Sequence, residues 1–94
     1  MRGFVYIITT KRNTALYTGV TSNLKERILK HINKTYPKSF SKRYNISKFV
    51  YYECFGTINE AIKREKQIKS GSRTKKVDMI NSTNPDWLDL FELL

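Results

Sequence analysis

The sequence predicts a small α+β domain, with a three-stranded antiparallel sheet flanked by three to four helices. Three observations lead there. Ninety-four residues and 11.1 kDa suit one domain spanning residues 1–94. Three short runs are dense in β-branched and aromatic side chains and end at turn residues. Apolar residues then recur at helical spacing behind capping signatures, and strands followed by helices in this order fold as a sheet clad on its faces.

Phe4-Val5-Tyr6-Ile7-Ile8-Thr9 is the first strand, and its nearly continuous apolar character predicts that both faces are at least partly covered. Lys11 to Thr14 is a polar turn, and Ala15 to Gly19 is the second strand of an antiparallel hairpin with a loop of about five residues. Asn23 followed three residues later by Glu26 is a capping box, and Leu24, Ile28 and Ile32 form the apolar stripe of a first helix. Pro37 ends helical structure before it. Residues 34–48 are basic with Tyr36, Phe40 and Tyr44 interleaved, and read as a loop. Phe49 to Phe55 is the third strand. Thr57 to Glu60 caps a second helix with the stripe Ile58, Ala61, Ile62 and Ile68, closed by Gly71. Thr74 to Ser82 is a third helix, and Asn84-Pro85 predicts a short fourth helix through Trp87, Leu88 and Phe91.

Charge points to the partner. Eighteen Lys and Arg oppose eight Asp and Glu, a net +10. Residues 1–52 carry eleven basic side chains and one acid, while residues 78–94 carry four acids and no Lys or Arg. Such an excess predicts a polyanion, of which nucleic acid is the usual one. No apolar run reaches the ~18 residues of a membrane span. Cys54 is the only cysteine, which removes intrachain disulfides and cysteine-based zinc, and a reducing cytoplasm is the expected compartment.

Some residues interrupt the apolar pattern. Glu65 falls in the middle of the second helix's stripe, where a carboxylate is costly unless it is paired or holds a cation. An internal salt bridge to Arg or Lys is the plain structural explanation. Arg27 and His31 lie on or beside the first helix's stripe, His31 as a hydrogen-bonded histidine and Arg27 as a partner for Glu65 or another acid, unless they serve a site. Tyr6 and Tyr17 suit a core whose hydroxyls are hydrogen-bonded. Other chemistries lack residues: four scattered glycines make no phosphate loop, and one His with one Cys makes no hydrolase triad. A carboxylate, an arginine, a histidine and tyrosines on a basic scaffold suit phosphodiester chemistry, with one Mg²⁺ on the carboxylate and arginine on phosphate oxygens.

Val5-Tyr6-Ile7, then Tyr17-Thr18-Gly19, then Arg27 and His31, then Glu65, together resemble the GIY-YIG nuclease domain. The likeness covers nearly the whole chain and is nearest to small stand-alone bacterial members, which resemble the N-terminal nuclease module of the excision-repair incision subunit. Asn23 to Arg27, Val50 to Glu53, Glu65 to Lys69, Lys75-Lys76 and Asn84 to Trp87 also fit that subgroup. The chain departs from the pattern at four places. Phe4 stands for the first motif's glycine, Thr18 for the second motif's isoleucine, and Val20 where the repair-type domain carries a lysine. Ser70-Gly71-Ser72 lies where similar chains carry a tryptophan.

The resemblance implies a DNA endonuclease using one Mg²⁺ or Mn²⁺, structure-directed and linked to repair or recombination. It implies Tyr6, Tyr17, Arg27, His31 and Glu65 as catalytic residues, with Glu65 the metal ligand. Lys25, Lys34, Lys42, Arg43, Lys69, Lys75 and Lys76 are the basic residues expected to hold the nucleic acid. The expected chain is a monomer or weak dimer, away from membranes. The competing expectation is a basic nucleic-acid-binding module that keeps the fold without turnover.

Overall fold

The computed structural model describes the backbone of residues 1–32 and 46–94, and the side chains of 1–32 and 48–94. Strands β1 (Gly3–Thr10), β2 (Leu16–Thr21) and β3 (Ile46–Phe55) form one antiparallel sheet in the order β2-β1-β3. The helices are α1 (Leu24–Ile32), α2 (Ile58–Lys69) and α3 (Arg73–Thr83), followed by a 3₁₀ turn at Phe91–Leu93. The predicted α+β class and three-stranded antiparallel sheet are therefore what the chain forms. Residues 34–45 of the predicted loop, with Lys34, Lys42 and Arg43, lie outside the described residues; the third strand begins at Ile46, three residues before the expected Phe49.

Alternation along β1 builds two apolar layers. Tyr6 and Ile8 face α1, packing with Leu24, Ile28 and Phe49. Val5 faces α2 with Ala61 and Ile68, and Ile7 faces Val50, Tyr51 and Ile80 of β3 and α3. This two-sided cover is why β1 reads as unbroken apolar sequence. Gly3 lets α2 sit close. A Cβ there would lie 2.7 Å from Ala61 Cβ and 2.8 Å from Ile58 Cα.

The caps form as the sequence predicts at two helices. The Glu26 amide donates to Asn23 Oδ1 at 3.2 Å, and the Glu60 amide to Thr57 Oγ1 at 3.2 Å. Two details differ. Ile32 is exposed and His31 takes the buried place at the end of the α1 stripe. The C-cap of α2 is Ser70 in ordinary right-handed conformation, so Gly71 is not used as a left-handed cap.

The predicted fourth helix does not form. Asn84 opens no helix because its side chain is committed elsewhere. Its Nδ2 donates to Val50 O at 3.1 Å and Leu88 O at 2.8 Å, while its Oδ1 accepts from the Leu88 amide at 3.0 Å. Trp87 turns into the left-handed region at φ 53, breaking the run. The chain then runs beside the open edge of β3, where the Leu90 amide donates to Phe49 O at 2.7 Å and Asp89 Oδ1 accepts from the Phe49 amide at 3.3 Å. An exposed strand edge is thereby covered by this segment, and Leu90, Phe91 and Leu94 close the α1-side core.

Candidate active site

The site grows from the register of β1 on β2. Tyr6 pairs with Gly19 and Ile8 with Tyr17, so both tyrosines rise on the face that carries α1. A Cβ on Gly19 would lie 2.3 Å from Tyr6 Cζ and Oη. The bare backbone at Gly19 is what lets the Tyr6 ring lie across β2, fully enclosed at 0% exposure. From α1, His31 meets this ring. Its Nε2 is 3.0 Å from Tyr6 Oη, and its imidazole also lies 5.6 Å, centroid to centroid, from the Tyr17 ring.

His31 is 4% exposed, and burial, aided by the Arg27 charge one turn back, lowers its pKa to about 4. The imidazole is therefore neutral at pH 7. This has a consequence for stability. In the unfolded chain a histidine titrates near 6.5, so between pH 6.5 and 4 the unfolded state holds a proton that the native state refuses. Stability falls as pH drops through that window, by about 3 kcal/mol once it is crossed. Urea midpoints at pH 7, 5.5 and 4 should show this loss in the native chain and less of it in His31→Gln. An imidazole resonance titrating between pH 6 and 7 would contradict the burial argument.

Glu65 joins the group from α2, across the β2 edge. Its Oε2 accepts from Lys69 Nζ at 3.1 Å, and the same ammonium stands 5.8 Å from the centre of the Tyr17 ring. A chain of contacts thus runs from Glu65 through Lys69, Tyr17 and His31 to Tyr6, with the Arg27 charge acting on His31. Arg27 itself is half-buried. The Lys69 contact with Tyr17 was not expected from the sequence, although the four-residue step from Glu65 to Lys69 on one helix was there to signal the pair.

The internal ion pair considered for Glu65 is present with a lysine, Lys69, and a second one joins Glu53 to Arg64. Arg64 Nε donates to Glu53 Oε1 at 2.8 Å and Nη2 to Oε2 at 3.1 Å, with Tyr51 Oη donating to the same carboxylate. Burial alone would raise the Glu53 carboxyl, but the Arg64 and Tyr51 hydrogen bonds outweigh it and hold it low. Strand alternation turns Val20 away from Tyr17 and into the apolar layer of Val5, Ala61 and Ile68. Lys69, from the helix, is the cation beside Tyr17.

Among the described residues no three His, Cys, Asp or Glu side chains gather as a metal cage. That donor set does not fit zinc or a calcium loop. One carboxylate, with its side chain 14% exposed, fits Mg²⁺, which keeps several waters and takes phosphate oxygens. Of the other basic residues, Lys25, Lys69 and Lys75 are exposed and Lys76 is half-buried. Among the described residues, no helix is long and apolar enough to cross a membrane.

Comparison with known proteins gives a consistent result. A family model described as the GIY-YIG catalytic domain matches residues 2–78. UPF0213 protein SSP2268 of Staphylococcus saprophyticus is 40% identical over 78 residues, covering 83% of this chain and 93% of its own. A UPF0213 protein of Syntrophus aciditrophicus is 34% identical, covering 90% and 95%. The solution NMR structure of UPF0213 protein BH0048 from Bacillus halodurans superposes with a TM-score of 0.59 at 28% identity, covering 99% of this chain and 97% of that one.

Proposed function

The chain belongs to the GIY-YIG family, and from that premise we propose that it is a Mg²⁺-dependent DNA endonuclease, acting on DNA structure rather than sequence, in repair or recombination. The observation that carries the reading is the single connected patch of Tyr6, His31, Tyr17, Lys69 and Glu65 beside Arg27, drawn from four separate elements. A purely structural core does not require a half-buried carboxylate, two tyrosines and a neutral imidazole at one place.

Each residue's part follows from its surroundings. Arg27 binds a non-bridging phosphate oxygen through its planar donors. Glu65 would hold the metal ion, which supplies positive charge to the phosphate and the departing oxygen. His31 is a positioning residue and not the base. An imidazole whose pKa is lowered to about 4 is too weak a base to hold a proton taken from water or a phenol at pH 7. It fixes Tyr6 Oη by their hydrogen bond. Tyr6 is sealed, whereas Tyr17 is half-buried and has Lys69 beside its ring. Tyr17 is thus the phenol that meets the attacking water.

The test is a panel of labelled nicked, flapped, branched, single-stranded and duplex DNAs, each with Mg²⁺, Mn²⁺ or EDTA. Metal-dependent cuts that favour a branched or interrupted structure, lost in Tyr17→Phe, are expected. Binding to these DNAs without a cut under any metal would favour the module that binds without turnover. That second reading draws on Lys69, which already balances the Glu65 charge. The expected compartment is the cytoplasm.

A further inference from the structure

A second feature lies on the other flank of α2. A cavity of about 360 Å³ opens between the C-terminal half of α2 and the first turns of α3. Its floor is Ile68 and Met79, and its rim carries Arg64, Gln67, Lys75 and Lys76. Arg64 is committed to Glu53 and Gln67. Lys75 and Lys76 take part in no salt bridge among the described residues. Two uncompensated ammonium groups over an apolar floor attract an anion with less screening than on an open surface.

The helix connects this cavity to the candidate active site. At 3.6 residues per turn, Glu65 and Lys69 lie on one flank of α2, and Arg64 and Gln67 on the other. Lys66 and Lys63 fall on the arc between them, and both are exposed. A band of positive charge therefore runs from Lys69 over the outside of the helix to Lys75 and Lys76. A helix is about 10–12 Å across, the span of a few nucleotides of one strand.

From this placement we infer that the α2–α3 cavity is a second phosphate-binding site, which holds the nucleic-acid backbone a few nucleotides from the scissile phosphate. It rests on the nucleic-acid reading above and adds where the strand runs. Recognition is by charge and backbone, and carries no base preference.

Binding is measured without cleavage, in EDTA, on a 20-base-pair duplex across a salt series. Lys75→Gln/Lys76→Gln should weaken binding roughly tenfold at low salt. It should also flatten the slope of log K against log salt by about 1.8, two phosphates at about 0.9 each. Arg2→Gln/Lys11→Gln removes the same charge at the two ends of β1 and should change the slope by much less. In the native chain, the amide resonances of Gly71, Lys75 and Lys76 should shift when duplex is added. Equal losses in the two double variants would reduce the effect to net charge and overturn the site. So would amides that stay still, or inorganic phosphate moving them as strongly as DNA, which would make it a small-anion pocket. The outcomes separate from those of the nuclease reading. DNA cleaved with native binding by Lys75→Gln/Lys76→Gln ends this inference alone. DNA bound through these lysines and never cleaved ends the nuclease reading alone.

Discussion

Gly19→Ala should be among the most destabilising single substitutions in the chain. The added methyl would sit 2.3 Å from Tyr6 Cζ and Oη and 2.9 Å from Cε1, well inside contact distance. Tyr6 cannot retreat cheaply. It has no exposed surface, it packs among Ile8, Leu24, Ile28 and Phe49, and its hydroxyl is held by His31. Overpacking in a closed core costs about 1–3 kcal/mol, and a strained Tyr6–His31 hydrogen bond adds to that. A total of about 3 kcal/mol would lower Tm by roughly 12–24 °C in a domain of this size. Gly56→Ala is the control. Its Cβ would meet only Glu60 Oε1 at 3.8 Å, so its melting point should hardly move. The clash can also be assigned to the ring. In the Gly19→Ala background, Tyr6→Phe removes the hydroxyl but leaves the ring carbon in the way, and should rescue little. Tyr6→Leu should recover part of the loss, giving a favourable coupling energy in the double-mutant cycle. A Gly19→Ala protein that melts with the native chain would refute the close approach of Tyr6 to β2.

The same residue illustrates what can be read from sequence and what cannot. The hairpin and both capping boxes were legible because they depend on residues within a few positions of one another. The reason for Gly19 was not, because it depends on a ring reaching across from β1. Asn84 carried a correct local signal, a cap before proline, that a tertiary demand outbid. Its amide satisfies Val50 O at the sheet edge instead of starting a helix. Glu65 was legible as an anomaly in its stripe, yet its partner was not settled. Four residues along, Lys69 was an available answer, while Arg27 belonged to another helix. Lys34, Lys42 and Arg43 were read as nucleic-acid contacts from charge alone, and they lie outside the described residues. At Val20 the alternation of β2 turns the side chain away from Tyr17, and the cation near Tyr17 comes from α2.

Glu65→Gln should separate catalysis from folding. The substitution keeps the shape and hydrogen-bonding reach of the side chain and removes the charge that would hold a divalent ion. Its effect on stability should be small. Glu65 pairs with Lys69 one turn away, and the lysine is half exposed, with 49% of its side chain accessible. Pairs of this kind contribute about 0.3–0.5 kcal/mol, so Tm should move by no more than a few degrees. A carboxylate buried against Arg27 would have cost about 3–5 kcal/mol on losing its charge, and the Lys69 pairing removes that expectation. Metal-dependent cleavage, by contrast, should fall at least about 100-fold, in the range that follows loss of a group stabilising the transition state's charge. DNA binding in EDTA should persist, and tighten slightly. A carboxylate beside a phosphate repels it, and without the carboxylate the Lys69 ammonium is released to the backbone. Glu65→Asp keeps the charge on a shorter arm and should keep a fraction of the activity, provided the ion can shift toward it. Calorimetric titration with Mg²⁺ gives a reading independent of turnover: heat of binding in the native chain, little in Glu65→Gln. Full cleavage by Glu65→Gln would exclude Glu65 as the metal's protein ligand, and a large fall in Tm would show that its carboxylate carries the fold instead of the reaction.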